Sequence, residues 1–347
     1  MLQRGFSRRQ LCGLGLLASA LVVPGLRAQT KPEKARVSMV LGSKGSFAQL
    51  PLLVAYQLGY FRSEGLDVEI TEQATDAAVV QALTSGAADV ASAAFDHVIA
   101  LHNAGQAVQS FVQLGRAPQL AVGVATRQFS KTTPITKIRG QKVGVAAIGS
   151  TSHMVAEMVL RRGGIGPQDV SFVAVGGGSG ALGALRSAQV EMLCTADPVM
   201  TQLEQRGEIL ILADTRNLKG VTEIFGGPVP SVCLFAPAAF IGKHPNTVQA
   251  LTNGLMHGLK WLQTAGPSDV IRTVPEAYLL GDRALYLACF EKIRESISVD
   301  GLVTLDSVRL ALRALAGFDA SIKTAQISLP ATFTNDFARR AKDKFKL

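Results

Sequence analysis

Short β-rich runs alternate with helical patterns along this chain, and they do so in two successive series. That alternation confines it to an α/β architecture in which parallel strands are covered by helices. The first series reads as a strand at 37–41, a helix at 51–58, a strand at 66–70, a helix at 77–85 and a strand at 90–93. Gly59 and Gly86 stand where each helix must stop, since glycine enters the left-handed region without steric cost, and Asp76 stands where the second helix needs a cap. The second series repeats the order: strand 142–146, helix 151–162 closed by Gly163-Gly164, strand 170–175, helix 181–187 and strand 192–195.

From Pro245 onward the pattern turns helical, with Val248, Leu251, Leu255, Leu259 and Leu262 at helical spacing and Trp261 read as core. Further helices at 284–296, 306–316 and 333–345 have no sheet of their own and must pack on an earlier one. The expected organisation is therefore discontinuous. Residues 36–125 plus 235–347 form one lobe and 126–232 the other, joined by two crossings at the β-like segments 120–126 and 231–236. A chain of 347 residues, 48% hydrophobic, is long enough for two such bodies and too apolar for extended disorder.

Residues 1–28 read as an export signal. Met1 to Arg9 is basic, 11–26 is mainly apolar but broken by Pro24, and Leu26-Arg27-Ala28 offers a cleavage site. The apolar stretch is short of the roughly 20 residues that span a bilayer. Ser7-Arg8-Arg9-Gln10-Leu11 resembles the twin-arginine signal, which implies export to the periplasm in the folded state. The formal charge is +9, and the signal holds four arginines and no acid; with no basic run or aromatic-basic interleaving, nucleic acid is not an expected partner. Cys12 lies in the signal, and Cys194, Cys233 and Cys289 are spaced for buried apolar roles rather than a CxxC site. The five histidines form no metal-binding spacing, so neither a metal nor a cofactor is expected.

Ala55-Tyr56-Gln57-Leu58-Gly59-Tyr60-Phe61-Arg62-Ser63-Glu64-Gly65-Leu66-Asp67-Val68-Glu69 resembles the N-terminal signature of the nitrate, sulfonate and taurine family of periplasmic substrate-binding proteins of ABC importers. The segments 81–91, 160–170 and 184–191, with Asp197-Pro198, are similar to its next helix and strand and to its second lobe. The resemblance spans about 36–270 and fades in the C-terminal helices. It implies a two-lobed type II periplasmic-binding-protein fold with two mixed or parallel sheets, two hinge crossings and a ligand between the lobes. It also implies an ABC permease and its ATPase as partners and a monomeric binding protein.

In open α/β sheets, ligands bind beyond the carboxyl ends of the strands, where helix N-termini are exposed. The loops placed there carry the candidate ligand contacts Ser43, Lys44, Ser46, Thr75, Asp76, Ser92, Asp96, His97, Gly149, Ser150, Thr151, Ser152, Gly177 and Asp197. Hydroxyls and glycines at a helix start suit an oxyanion, with Ser150-Thr151 the first choice and Lys44 a source of positive charge. Ser150 acting only as a helix cap is the competing reading. Gly176-Gly177-Gly178-Ser179 lacks the Gly-Lys-Ser/Thr ending of a phosphate-binding loop.

The expected function is capture of a small organic anion, such as a sulfonate, nitrate or carboxylate, for import. The alternatives are an enzyme related to the pyrimidine-precursor synthases that share this fold, whose cysteine-rich run has no counterpart here, and a periplasmic sensory module.

Overall fold

The computed structural model describes residues 31–346. The expected signal and its Cys12 lie outside these residues. Among the described residues ten strands form two sheets of five, in the orders β2-β1-β3-β10-β4 and β7-β6-β8-β5-β9. The first sheet comprises β1 (Arg36–Leu41), β2 (Asp67–Glu72), β3 (Val90–Ala94), β4 (Val108–Gln113) and β10 (Val232–Pro237). The second comprises β5 (Leu120–Ala125), β6 (Lys142–Val145), β7 (Ser171–Ala174), β8 (Met192–Ala196) and β9 (Ile209–Asp214). Around the first stand α1 (Leu50–Gln57), α2 (Tyr60–Ser63), α3 (Asp76–Thr84) and α4 (Phe95–Asn103), and around the second α5 (Thr151–Arg162), α6 (Ser179–Arg186), α7 (Val199–Gln205) and α8 (Leu218–Phe225). Six more helices follow: α9 (Ala238–Lys243), α10 (Pro245–Thr264), α11 (Pro267–Thr273), α12 (Arg283–Ile293), α13 (Leu305–Phe318) and α14 (Asp336–Phe345). Among the described residues no helix is long and apolar enough to cross a membrane.

Within each sheet four strands run in one direction, three of them paired in parallel as βαβ units require, and one antiparallel strand arrives from the other half of the molecule. β10 lies antiparallel between β3 and β4, and β5 lies antiparallel between β8 and β9. This moves the expected lobe boundary. Segment 120–125 belongs to the second sheet rather than to the lobe ending at 125: its backbone pairs with β8 on one edge and β9 on the other, and Val122 and Val124 are buried in one core while Ala121 and Ala125 are buried in another. The chain crosses between the sheets at 114–119 and 226–231.

The expected leucine seam of α10 is buried: Val248, Leu251, Leu255, Leu259 and Leu262 join the core under the first sheet. Gly254 and Gly258 let this helix lie hard against α1 and α2, for a Cβ at Gly258 would sit 2.8 Å from the Pro51 carbonyl oxygen and one at Gly254 2.6 Å from the Phe61 ring. The family-like signature 55–69 is thus chiefly a packing device, in which Ala55, Phe61, Leu66 and Val68 are buried and Gly59 and Gly65 take positive φ. Cys194, Cys233 and Cys289 are buried and free.

The C-terminal helices do not keep to the first sheet, as the 235–347 assignment expects. α13 buries Val308 and Leu312 in a core of the first sheet, while Ala314 is buried in the core of the second with Leu310 and Phe318 packed against it. α12 reaches α7 through an ion pair of 2.6 Å between Lys292 and Glu204. The reason is local: the apolar stripe of α13 is too wide for one neighbour.

Two glycines should respond oppositely to the same change. Gly258→Ala should destabilise by about 1 to 3 kcal/mol, since the added methyl meets backbone. Gly183→Ala, on an exposed helical position with nothing near a new Cβ, should be neutral or stabilise by up to about 1 kcal/mol. Urea unfolding of both variants measures the contrast; equal effects would contradict the packing of α10.

Candidate functional site

At the junction of the two sheets the N-termini of α4 and α5 meet. β3 ends at Ala94 and leads straight into α4, which puts Asp96 in a first helical turn. β6 ends at Val145, and a short loop turns at Gly149, whose φ of 83° suits glycine, before Ser150 caps α5. The Thr151 hydroxyl donates to Asp96 Oδ2 at 2.6 Å, linking the two helix ends. Ser150 Oγ donates to the Ala147 carbonyl at 2.7 Å, and Ser152 Oγ accepts from the Ala146 N–H at 2.9 Å. The two serine hydroxyls lie 2.8 Å apart.

Behind Asp96 lies a second charge group. His97 Nε2 is 3.5 Å from Asp76 Oδ2 and 3.8 Å from Asp96 Oδ1. Burial works against the imidazolium, but the Asp96 charge and then Asp76 outweigh it and push the pKa up to about 9. Asp76 in turn is held below its ordinary range by His97, against the opposing effect of burial.

These groups form the polar end of a cavity of about 200 Å³. Its other walls are largely apolar, with Leu120, Met154, Phe225, Val229 and Ala311 among them, so both sheets, a crossing segment and α13 contribute. The charged residues that line it are Asp76 and Asp96.

Of the expected contacts, Asp76, Asp96, Ser150, Thr151 and Ser152 come together here, with His97 directly behind. The others do not line this cavity. Lys44 turns to Glu72, with Nζ 3.6 Å from Oε1. Ser43 and Ser46 close their own turn by a backbone hydrogen bond. Thr75 caps α3, accepting from Ala78 N–H, and Gly149 N–H donates to His153 Nδ1. Ser92 is buried and donates to Gln49 Oε1 at 2.6 Å. Gly177 sits in an exposed turn.

Asp197 is the clearest departure. Its carboxylate lies 3.1 Å from Nη1 of Arg216, and both side chains are fully buried. Arg216 also pairs with Asp214 at 2.6 Å and Glu204 at 2.9 Å, so Asp197 holds a structural ion cluster together rather than facing a ligand. Stranding such a charge by removing its partner typically costs about 3–5 kcal/mol. Sequence reasoning missed the apolar walls, since Met154, Phe225 and Ala311 look like any core residue of an amphipathic helix.

The model of the NMT1/THI5-like family matches residues 46–267, which include both sides of the cavity. The chain belongs to the NMT1/THI5-like family. A solved structure from Bordetella bronchiseptica RB50 is similar with a TM-score of 0.84 and 42% sequence identity, covering 91% of this chain and 100% of that one. The alkanesulfonate-binding protein SsuA from Xanthomonas axonopodis pv. citri, solved bound to MOPS, is similar with a TM-score of 0.69 at 15% identity, over 87% of this chain and 99% of that one. Its likeness is one of fold, and the two mixed sheets flanked by helices form the periplasmic binding-protein fold. The 4-amino-5-hydroxymethyl-2-methylpyrimidine phosphate synthase of Schizosaccharomyces pombe is 22% identical over 219 residues, covering 59% of each chain. The chain therefore spans about three fifths of that relative's length.

The His97 cluster gives this NMT1/THI5-like site a pH signature. A raised pKa means the folded state holds the proton more tightly, so its stabilisation is complete below about 6.5 and is lost as pH rises through about 9. Thermal unfolding between those limits should show wild type losing on the order of 1 to 3 kcal/mol relative to His97→Gln. A constant gap between the two proteins would contradict the Asp76–His97–Asp96 geometry.

Proposed function

We propose that this chain is the solute-binding component of an ABC import system. It captures one small organic solute in the cavity between its sheets and presents it to a membrane permease and its ATPase, after export under the twin-arginine-like signal at its start. The observation that carries this reading is the cavity's construction. It lies where two crossings join two sheets, and its polar end is made by helix N-termini from opposite sides bridged by Thr151 and Asp96. A site assembled from two bodies can close around a solute by rotation in the crossing segments. SsuA, an alkanesulfonate-binding protein with this fold, agrees with the reading.

Kinship with the fission-yeast synthase supplies the second reading, an enzyme. The cavity lining contains aspartates and hydroxyls but no cysteine, lysine or histidine to act as nucleophile or Schiff base, which favours capture over turnover. The anion expected from the loop composition also fits poorly, because the lining charges are both negative.

A thermal-shift screen of small polar solutes against the exported protein tests the proposal. A true ligand at about 100 times its dissociation constant should stabilise by about 2.7 kcal/mol and be recovered chemically unchanged. Thr151→Val should weaken that ligand about tenfold or more by uncoupling the two helix ends, whereas Cys194→Ser should not. Conversion of the solute would establish the enzyme instead, and a Thr151→Val variant that binds like wild type would remove this cavity as the site.

A further inference from the structure

Gln113 closes β4 with its side chain enclosed and unanswered. The residue is 6% exposed; among the described residues Oε1 is sealed from solvent without a hydrogen-bond partner, and Nε2, equally without one, keeps accessible surface. A buried amide left unpaired forfeits the hydrogen bonds it made in water, a loss that leucine in the same space would not incur. An orphaned group of this kind marks a place where something other than the chain supplies the partner.

The Gln113 side chain lines a cavity of about 480 Å³, which has Val229 and Pro230 of the 226–231 crossing as walls in common with the first cavity. Ser298, 1% exposed, lines it too; its Oγ accepts from the Gly301 N–H at 2.9 Å, and its own proton has no acceptor among the described residues. Arg116, from the other crossing, adds a charge. Its Nε and Nη2 donate to the Glu295 carbonyl at 3.1 and 3.0 Å, which fixes the guanidinium without neutralising it. The two acids on the lining are balanced by partners of their own, Asp300 by Lys342 at 2.8 Å and Asp306 by Arg309 at 2.7 Å. Unspent donors and one uncompensated positive charge therefore border this space, the reverse of the first cavity with its two aspartates. Leu302, Leu310 and the exposed Val299 give it an apolar side.

We infer that this cavity is a second ligand site, which takes a small monocarboxylate on an apolar body. The carboxylate accepts from the Gln113 amide, the Ser298 hydroxyl and Arg116, and the body covers Val299, Leu302 and Leu310. Charge-assisted hydrogen bonds of this type are the strong ones, and a carboxylate has lone pairs for all three donors. The site is separate from the Thr151–Asp96 junction and stands whether or not the chain delivers a solute to a permease.

The test is calorimetric titration of the exported protein with hexanoate and benzoate at millimolar concentration, against hexanamide, benzamide and hexylamine. The carboxylates should bind at least about tenfold more tightly than their amides and the amine. Gln113→Leu should weaken them about tenfold or more while melting at or above the wild-type temperature, because an apolar side chain replaces an unpaired buried amide. A Gln113 that only supports the fold would instead lower the melting temperature and leave carboxylate affinity unchanged, which would overturn the inference. Arg116→Gln should erase the preference for carboxylate over amide, and it serves if Gln113→Leu fails to fold. Binding of neither carboxylate, or carboxylate binding that Thr151→Val weakens and Gln113→Leu and Arg116→Gln do not, would also overturn the inference; each of these results leaves the binding-protein reading intact.

Discussion

Each sheet of this protein is completed by a strand that the other half sends to it. β5 leaves the first half to lie between β8 and β9, and β10 returns to lie between β3 and β4. Everything at the site follows from that exchange. Because the parallel strands of each sheet end at the junction, the helices that follow β3 and β6 begin there, and their N-termini are brought face to face. A single hydrogen bond between Thr151 and Asp96 joins helix ends that belong to different hydrophobic cores.

The same exchange sets what can move. The crossings at 114–119 and 226–231 are short, but they are not the whole connection between the halves. α13 is shared by the two cores, and the Glu295 carboxylate accepts from Leu218 N–H while its carbonyl accepts from Arg116. A rotation between the halves would therefore have to displace α13 from one of its two cores as well as bend the crossings. Under the proposed binding-protein reading, solute capture would be coupled to the seating of α13.

Much of the fold was legible because alternation and glycine placement are local properties of the chain. The helices at 50–57, 76–84 and 151–162 and the strands that precede them stand within a few residues of their expected bounds. Segment 120–125 was misassigned because a run that is apolar on both faces says that it is enclosed but not by which sheet. β4 carries glutamines among its apolar residues and hides its strand character. At the site, the loops at strand ends were legible and their occupants were not. Asp197 looked free until Arg216, 19 residues later, folded back onto it. The serines and threonine around residue 150 looked like donors to an anion, since sequence shows that a hydroxyl is present but not where its proton is spent.

The account turns on those three protons. A neutron diffraction structure of the deuterated, solute-free protein would locate them directly. The account predicts that the deuteron of Thr151 points at Asp96 Oδ2, that of Ser150 at the Ala147 carbonyl and that of Ser152 at Ser150 Oγ, with none directed into the cavity. Deuterons of Ser150 or Thr151 turned toward the cavity, or one resting on Asp96 Oδ1, would contradict it and restore the anion-binding site that the loop composition suggests.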